Sequence, residues 1–422
     1  MPSKEEPYRE LFNGGRQSAS GGRGRRPLIA FGLTAEQAEL HATMRKFAAA
    51  ELAPGYLERA KSEDFPWHLQ RKLGQMGVLA MLAGPEWGGV GEPDYVALGL
   101  VVEALAYGDF NVANCMLPTL LATAVLRAHA SAAAQERWMP GLTSGDEFMS
   151  IALTEPESGS DAGAMQATAT PVGDGFVLNG EKTSVTGLLH ARSALVFASG
   201  NRAAGARAVT ALVVDLEEAG CSRTPIGDTG WRPIGRGSLH LDDVRVSADA
   251  VVGGVGGGFS VVMNGFDFTR PLLALTAIGC AQATLDETVA YVRQRRAFGS
   301  PLASFEGVSF PLAEHHARLE AARLLCYKTL WARMRGERHT ELAAMSKWYG
   351  PAVATQAVHD CLLLHGHYGY ATDSSFEQRL RDVLAVEIAD GTAQIQKIVI
   401  AREAFGRDFV PYRRSDRLGD PA

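Results

Sequence analysis

From Thr34 onward apolar residues return at helical spacing: Leu40, Met44, Phe47 and Leu52 follow a capping-box start at Thr34-x-x-Gln37. Pro54, Pro66 and the Gly84-Pro85…Gly88-Gly89-Val90-Gly91 loop punctuate further helices around 69–76 and 95–107, and the Ala- and Leu-rich run 111–138 predicts more helix. Near Phe148 the period shortens. Runs at 150–154, 175–179, 193–198, 210–215 and 238–241, separated by Gly, Asp and Pro, predict the short strands of a small β-sandwich or barrel. Past the glycine-rich stretch Gly253–Phe259 the helical period resumes through 260–295, 308–334, 340–366 and 377–406. The predicted organisation is mainly α with a central β domain. It comprises a disordered Gly/Ser/Arg-rich tail at 1–30, a helical domain at 31–147, a β domain at 148–253, a helical bundle at 254–406 and a tail at 407–422.

Composition changes this picture little. With 422 residues, 46% hydrophobic and 21% charged, the chain has ample core. A net charge of −6 argues against a nucleic-acid partner. The 5 cysteines form no C-x-x-C pair and predict reduced, buried thiols rather than a disulfide framework. His359, His365 and His367 cluster without carboxylates at ligand spacing, so no metal site is expected. The N-terminus shows no apolar h-region, and the apolar stretch 261–280 is broken by Asp267, Arg270 and Pro271. A soluble, cytoplasmic protein without a membrane partner is expected.

Candidate chemistry begins at Glu387–Gln396. Asp390 stands before Gly391 and Thr392 at the mouth of a helical pattern, where Thr392 is expected to cap the helix and the dipole end favours an anion. Taken alone this is an ordinary helix start. Asp267 and Arg270, three residues apart on one helix, predict an ion pair.

Several segments read together resemble the acyl-CoA dehydrogenase family of flavoproteins. They are Leu153-Thr154-Glu155-Pro156-x-Ser158-Gly159-Ser160-Asp161; Leu178-Asn179-Gly180-Glu181-Lys182 with Val185-Thr186; and Phe266-Asp267-x-Thr269-Arg270-Pro271. Arg295-Arg296-Ala297-Phe298-Gly299, His365-Gly366-x-x-Gly369-Tyr370, Arg381-Asp382 and Asp390–Gln396 follow in order. The resemblance spans about residues 34–406 and implies an N-terminal helical domain, a middle β domain and a C-terminal four-helix bundle.

It also implies FAD as cofactor and residues to hold it. Leu153, Thr154, Val185 and Thr186 would lie beside the flavin ring. Arg295 and Phe298 would grip the pyrophosphate and adenine half, where a guanidinium fork suits a diphosphate. Thr392, Gln394, Leu363 and Gly366 would complete the site, partly across a subunit boundary in a homo-oligomer, usually a tetramer. For the substrate it implies Ser160 near the pantetheine or phosphate region, Arg338 near the adenosine phosphate, and Phe266, Asp267, Arg270, Ala389 and Gly391 around the acyl thioester. Asp390 would be the base that takes the α-proton while the β-hydrogen leaves as hydride, with Arg270 in support.

The chain departs from the family where it matters. Asp390 replaces the usual Glu and Ala389 the usual aromatic, which withdraws the carboxylate and enlarges the pocket for a short, branched or cyclic acyl group. Ser184 replaces an aromatic against the flavin, which is expected to open one flavin face and puts the usual acceptor, an electron-transferring flavoprotein, in question. Leu363 and His367 replace Gln and Gly of a flavin-contacting segment. Cyclohexane-carboxyl-CoA dehydrogenases in this family use two aspartates for 1,4-removal of hydrogen, and Asp109 with Asp390 is the candidate pair. The expected activity is α,β-dehydrogenation of an acyl-CoA or acyl-carrier-protein thioester. The alternatives are that 1,4-dehydrogenation, a nitroalkane-oxidase-like flavin oxidase, or a non-enzymatic descendant.

Overall fold

The computed structural model describes residues 32–409. The tail at 1–30 and most of that at 407–422 lie outside the described residues. The chain opens with α1 (Ala35–Phe47), α2 (Tyr56–Lys61), α3 (Trp67–Gln75), α4 (Tyr95–Gly108), α5 (Phe110–His129) and α6 (Ala132–Ser144). The capping box forms: Gln37 N–H donates to Thr34 Oγ1 at 3.2 Å and Thr34 N–H to Gln37 Oε1 at 3.1 Å. Two aspartates start α4 and α5, Asp94 accepting from Ala97 N–H and Asp109 from the N–H groups of Asn111 and Val112. By length and composition α5 could cross a membrane, yet it is buried over most of its length as a core helix.

The middle strands are β1 (Met149–Ala152), β2 (Thr168–Val172), β3 (Gly175–Val185), β4 (Ser193–Ser199), β5 (Val209–Asp215), β6 (Cys221–Pro225), β7 (Gly237–Ser247) and β8 (Val251–Val252). They form one 8-stranded sheet in the order β6-β7-β3-β2-β4-β5-β8, with β1 paired to β4. β1 runs parallel to β4, Met149 opposite Ser193, while β3–β7 and β4–β5 are antiparallel. Every residue of β4 is buried, as its unbroken apolar run requires of a strand covered on both faces.

Then come α7 (Gly258–Gln294), a hairpin of β9 (Arg296–Ala297) and β10 (Ser300–Pro301), α8 (Glu306–Met334), α9 (Thr340–Leu364), α10 (His367–Tyr370), α11 (Ser375–Ile388) and α12 (Ala393–Phe405). α7 is the central helix, packed on α4, α5, α8 and α9. The helical pattern at 377–406 is not continuous. It breaks between α11 and α12, where Asp390 takes φ 53° and Gly391 φ 96°. The architecture is the expected one, mainly α with a β domain between helical regions.

Candidate active site

The α11–α12 junction is held by its backbone. Arg270 Nε donates to the Asp390 carbonyl at 3.3 Å. Gln396 Nε2 donates to the carbonyls of Asp390 and Gly391, each at 3.0 Å, and Lys347 Nζ donates to Gly391 at 3.3 Å. A left-handed conformation is costly for most residues and tolerated by aspartate. These donors hold the junction there. Gly391 is required twice over, since a Cβ would stand 2.6 Å from Gln396 Nε2 at a backbone angle that disfavours any side chain.

The Asp390 carboxylate is half-buried, and its Oδ2 accepts from Thr269 Oγ1 at 2.9 Å. Arg270 and Asp267 form the expected pair at 2.9 Å, and Asp267 also accepts from Thr340 Oγ1 at 2.6 Å. Burial lowers the pKa of Arg270, opposed by the charges of Asp267 and Asp390. Burial likewise pushes Lys347 down to about 8, opposed by Asp390. Arg270 therefore supports the junction through the Asp390 main chain, and Thr269 is the residue that touches the carboxylate.

Across from this junction stand the ends of β1 and β3. Lys182 Nζ is buried, donating to Leu153 O at 3.0 Å and pairing with Glu155 at 2.7 Å. Thr183 N–H donates to Thr154 O at 2.8 Å. Leu153 and Thr154 are thereby fixed beside Ser184, Val185 and Thr186. Ser184 takes φ 57°, and its hydroxyl accepts from Arg236 Nη1 at 2.8 Å. Arg236 is itself paired with Asp228. Ser184 and Arg236 both line the same cavity, so a guanidinium stands at hydrogen-bond distance from the Ser184 position.

One cavity of about 1990 Å³ joins these walls, lined by Thr154, Ser160, Thr186, Arg270, Arg338 and Asp390 among others. Ligand cavities commonly measure about 300–1,000 Å³, so this one has room for a cofactor and a substrate together. Matches to family models divide the chain the same way: acyl-CoA dehydrogenase N-terminal domain at 34–146, middle domain at 150–244 and C-terminal domain at 256–405. The chain belongs to the acyl-CoA dehydrogenase family. Its members are oxidoreductases of CH–CH bonds that use FAD. A probable acyl-CoA dehydrogenase of Bacillus subtilis is 33% identical over 88% of this chain and 99% of its own. Butyryl-CoA dehydrogenase from Megasphaera elsdenii superposes with a TM-score of 0.86 at 29% identity, covering 89% of this chain and 100% of its own. The prolyl acyl carrier protein oxidase AnaB does so at 0.85 and 27%, covering 88% and 100%.

Of the residues the family pattern singled out, Leu153, Thr154, Ser160, Thr186, Phe266, Asp267, Arg270, Arg338, Ala389, Asp390, Gly391 and Thr392 all line the cavity. Val185 is buried behind the wall. Arg295, Phe298, Leu363, Gly366 and Gln394 are exposed and do not line it within this chain. Two expectations are corrected. Thr392 stands at the N-cap of α12 with no side-chain cap bond, leaving its hydroxyl on the cavity wall. Asp109 is not a cavity residue. It is 1% exposed, its Oδ1 caps α5 and its Oδ2 pairs with Arg59 at 2.7 Å. A carboxylate needed there as cap and counter-ion is withdrawn from any substrate. Thr269, Lys347, Gln396 and Arg236 were not singled out; Thr269 and Gln396 stood inside recognised segments, Lys347 and Arg236 in none.

Proposed function

We propose that this chain catalyses α,β-dehydrogenation of a short, branched or cyclic acyl thioester, with Asp390 as the base that takes the α-proton. The observation that carries it is the Asp390 carboxylate, placed on the cavity wall by Thr269 and a clamped left-handed turn. FAD, when bound, would supply the acceptor for the β-hydrogen, which leaves as hydride. Residues suited to hold it are Leu153, Thr154 and Thr186. The Thr154 and Thr186 hydroxyls line the cavity and make no hydrogen bond within the described residues.

An α-proton is far too weakly acidic for a free carboxylate, so the thioester must be held tightly and water excluded. Apolar faces of α5 and α7 serve the exclusion, through Leu117, Leu121, Phe259 and Leu273. Arg338 and Arg402, both on the cavity wall, share Glu403, leaving an excess of positive charge for the phosphates of a thioester carrier. A short acyl group agrees with the butyryl-CoA dehydrogenase neighbour, and a protein-bound thioester with the carrier-protein oxidase neighbour.

Homo-oligomerisation belongs to the same proposal. Phe298 is 97% exposed and Leu363 60%, at positions the family pattern assigns to FAD, and Tyr370 in the neighbouring recognised segment is 81% exposed, an unusual display of apolar surface. An adjoining subunit would cover them. The acceptor is an electron-transferring flavoprotein or oxygen, and Arg236 beside Ser184 marks where this chain differs.

The test is anaerobic bleaching of the flavin by a panel of linear, branched and cyclic thioesters. Wild type is expected to bleach with at least one, and Asp390→Asn to keep FAD but lose bleaching by about 10³-fold or more. Full activity in Asp390→Asn would sink the assignment. A nitroalkane-oxidase-like reading shares Asp390 and Ser184. Peroxide release with a nitroalkane, and no bleaching by any thioester, would put it first.

A further inference from the structure

The α5 face of the cavity is a stripe: Asn114, Leu117, Pro118 and Leu121 fall at i, i+3, i+4 and i+7 and all line it. Asn114 alone in that stripe is polar. It is 3% exposed, and its Nδ2 is buried with no hydrogen-bond partner. Several buried side-chain atoms among the described residues lack a partner, but Asn114 is the one residue of that set on the cavity wall. Nearby, Asp109 is engaged with Arg59 and the helix start, and Asn111 gives its Nδ2 to Asp382 at 3.0 Å; Asn111 Oδ1 is also buried without a hydrogen-bond partner, but Asn111 does not line the cavity. Leu121 meets α7 at Gly265 and Phe110 meets the Trp231 ring, so Asn114 lies between two closed contacts.

A leucine has nearly the same shape and would seal this wall without an unmet amide, whose burial is costly. The unpartnered atom is a donor, so its complement is an acceptor lone pair, which a hydroxyl oxygen or an unprotonated amine nitrogen offers. We infer that Asn114 is a specificity-determining residue whose Nδ2 donates to a hydroxyl oxygen or an unprotonated amine nitrogen carried on the acyl group. The substrate class is then a polar-substituted acyl thioester rather than a plain hydrocarbon one. The inference rests on the dehydrogenase function proposed above.

Matched thioesters test it with the FAD-loaded enzyme: 4-hydroxybutyryl against pentanoyl (OH for CH₃) and pyrrolidine-2-carbonyl against cyclopentanecarbonyl (NH for CH₂). Anaerobic bleaching rates are measured for wild type and Asn114→Leu. Wild type is expected to favour the polar member of at least one pair by about tenfold or more, and Asn114→Leu to lose that preference. A wild-type preference for the hydrocarbon throughout, or an unchanged ratio in the variant, overturns the inference while leaving the dehydrogenase function standing. No bleaching by any thioester removes both. Thermal melting of the loaded, substrate-free protein gives a second readout. Asn114→Leu is expected to melt higher, having lost an unpartnered amide. A lower melting temperature, or failure to fold, shows the amide already satisfied and overturns the inference.

Discussion

Thr269 and Asp390 are joined by a single 2.9 Å hydrogen bond between residues 121 positions apart, and among the described residues it is the one side-chain hydrogen bond to the carboxylate. Thr269→Val keeps the shape and removes the donor. Loss of one bond to a charged group corresponds to about 1.5–3 kcal/mol, so bleaching is expected to slow by about tenfold or more, with Thr269→Ser restoring most of it. An unchanged rate would show the carboxylate held by the backbone clamp alone. The residues that form this clamp divide by how they could be found. Asp390, Asp267 and Arg270 lie in short segments that spacing exposes. Lys347 and Gln396 matter only because folding brings Lys347 to Gly391 across 44 positions and Gln396 back across the turn. Arg236 reaches Ser184 across 52 positions, a partner that no local pattern around Ser184 could reveal.

Elements obey the same division. The strongly patterned strands β4 and β5 were readable because their residues are apolar almost throughout and buried. β2 and β6 were not. Most of their residues are not buried, each contains a proline, and β6 is a sheet edge, where neither alternation nor β-propensity is required. The end of β1 is set by a contact that joins two recognised segments, the buried Glu155–Lys182 pair. Glu155 also accepts from Ala167 N–H at 2.9 Å, while Lys182 holds Leu153 O. Lys182→Met strands a buried carboxylate, and a cost of about 3–5 kcal/mol is expected in denaturant unfolding, with weaker FAD retention because Leu153 and Thr154 lose their anchor. The double variant Glu155→Leu/Lys182→Met is expected to recover much of the stability. Equal destabilisation by the double variant would show that the pair contributes through shape rather than charge.

At the scale of the molecule, three regions meet on one carboxylate. Asp382 of α11 accepts from Tyr56 Oη at 2.8 Å and Asn111 Nδ2 at 3.0 Å in the N-terminal helices. It accepts from Trp231 N–H at 3.0 Å in the β domain and Gln378 Nε2 at 3.0 Å in its own helix. The Arg381-Asp382 segment marked the residue, but only the fold shows that it docks the domains around the cavity. Burial pushes the Asp382 carboxyl from 3.8 up to about 6, with Asp109 adding to the rise and the bonds from Trp231, Tyr56 and Asn111 opposing it. Because the folded value is the higher one, the native state binds more proton than the unfolded chain between about pH 4 and 6. Stability from this group is then greatest at the acid end and falls as the pH rises through that window. Asp382→Asn cannot titrate. The unfolding free energy of wild type minus that of Asp382→Asn, measured in urea between pH 4 and 7, is expected to fall with rising pH and to level off above about 6. Carboxylates other than the coupled Asp109 contribute alike to both proteins and cancel in the difference. A flat difference would mean that the hub carries no titrating charge. A difference that grows with pH would mean that its hydrogen bonds outweigh its burial.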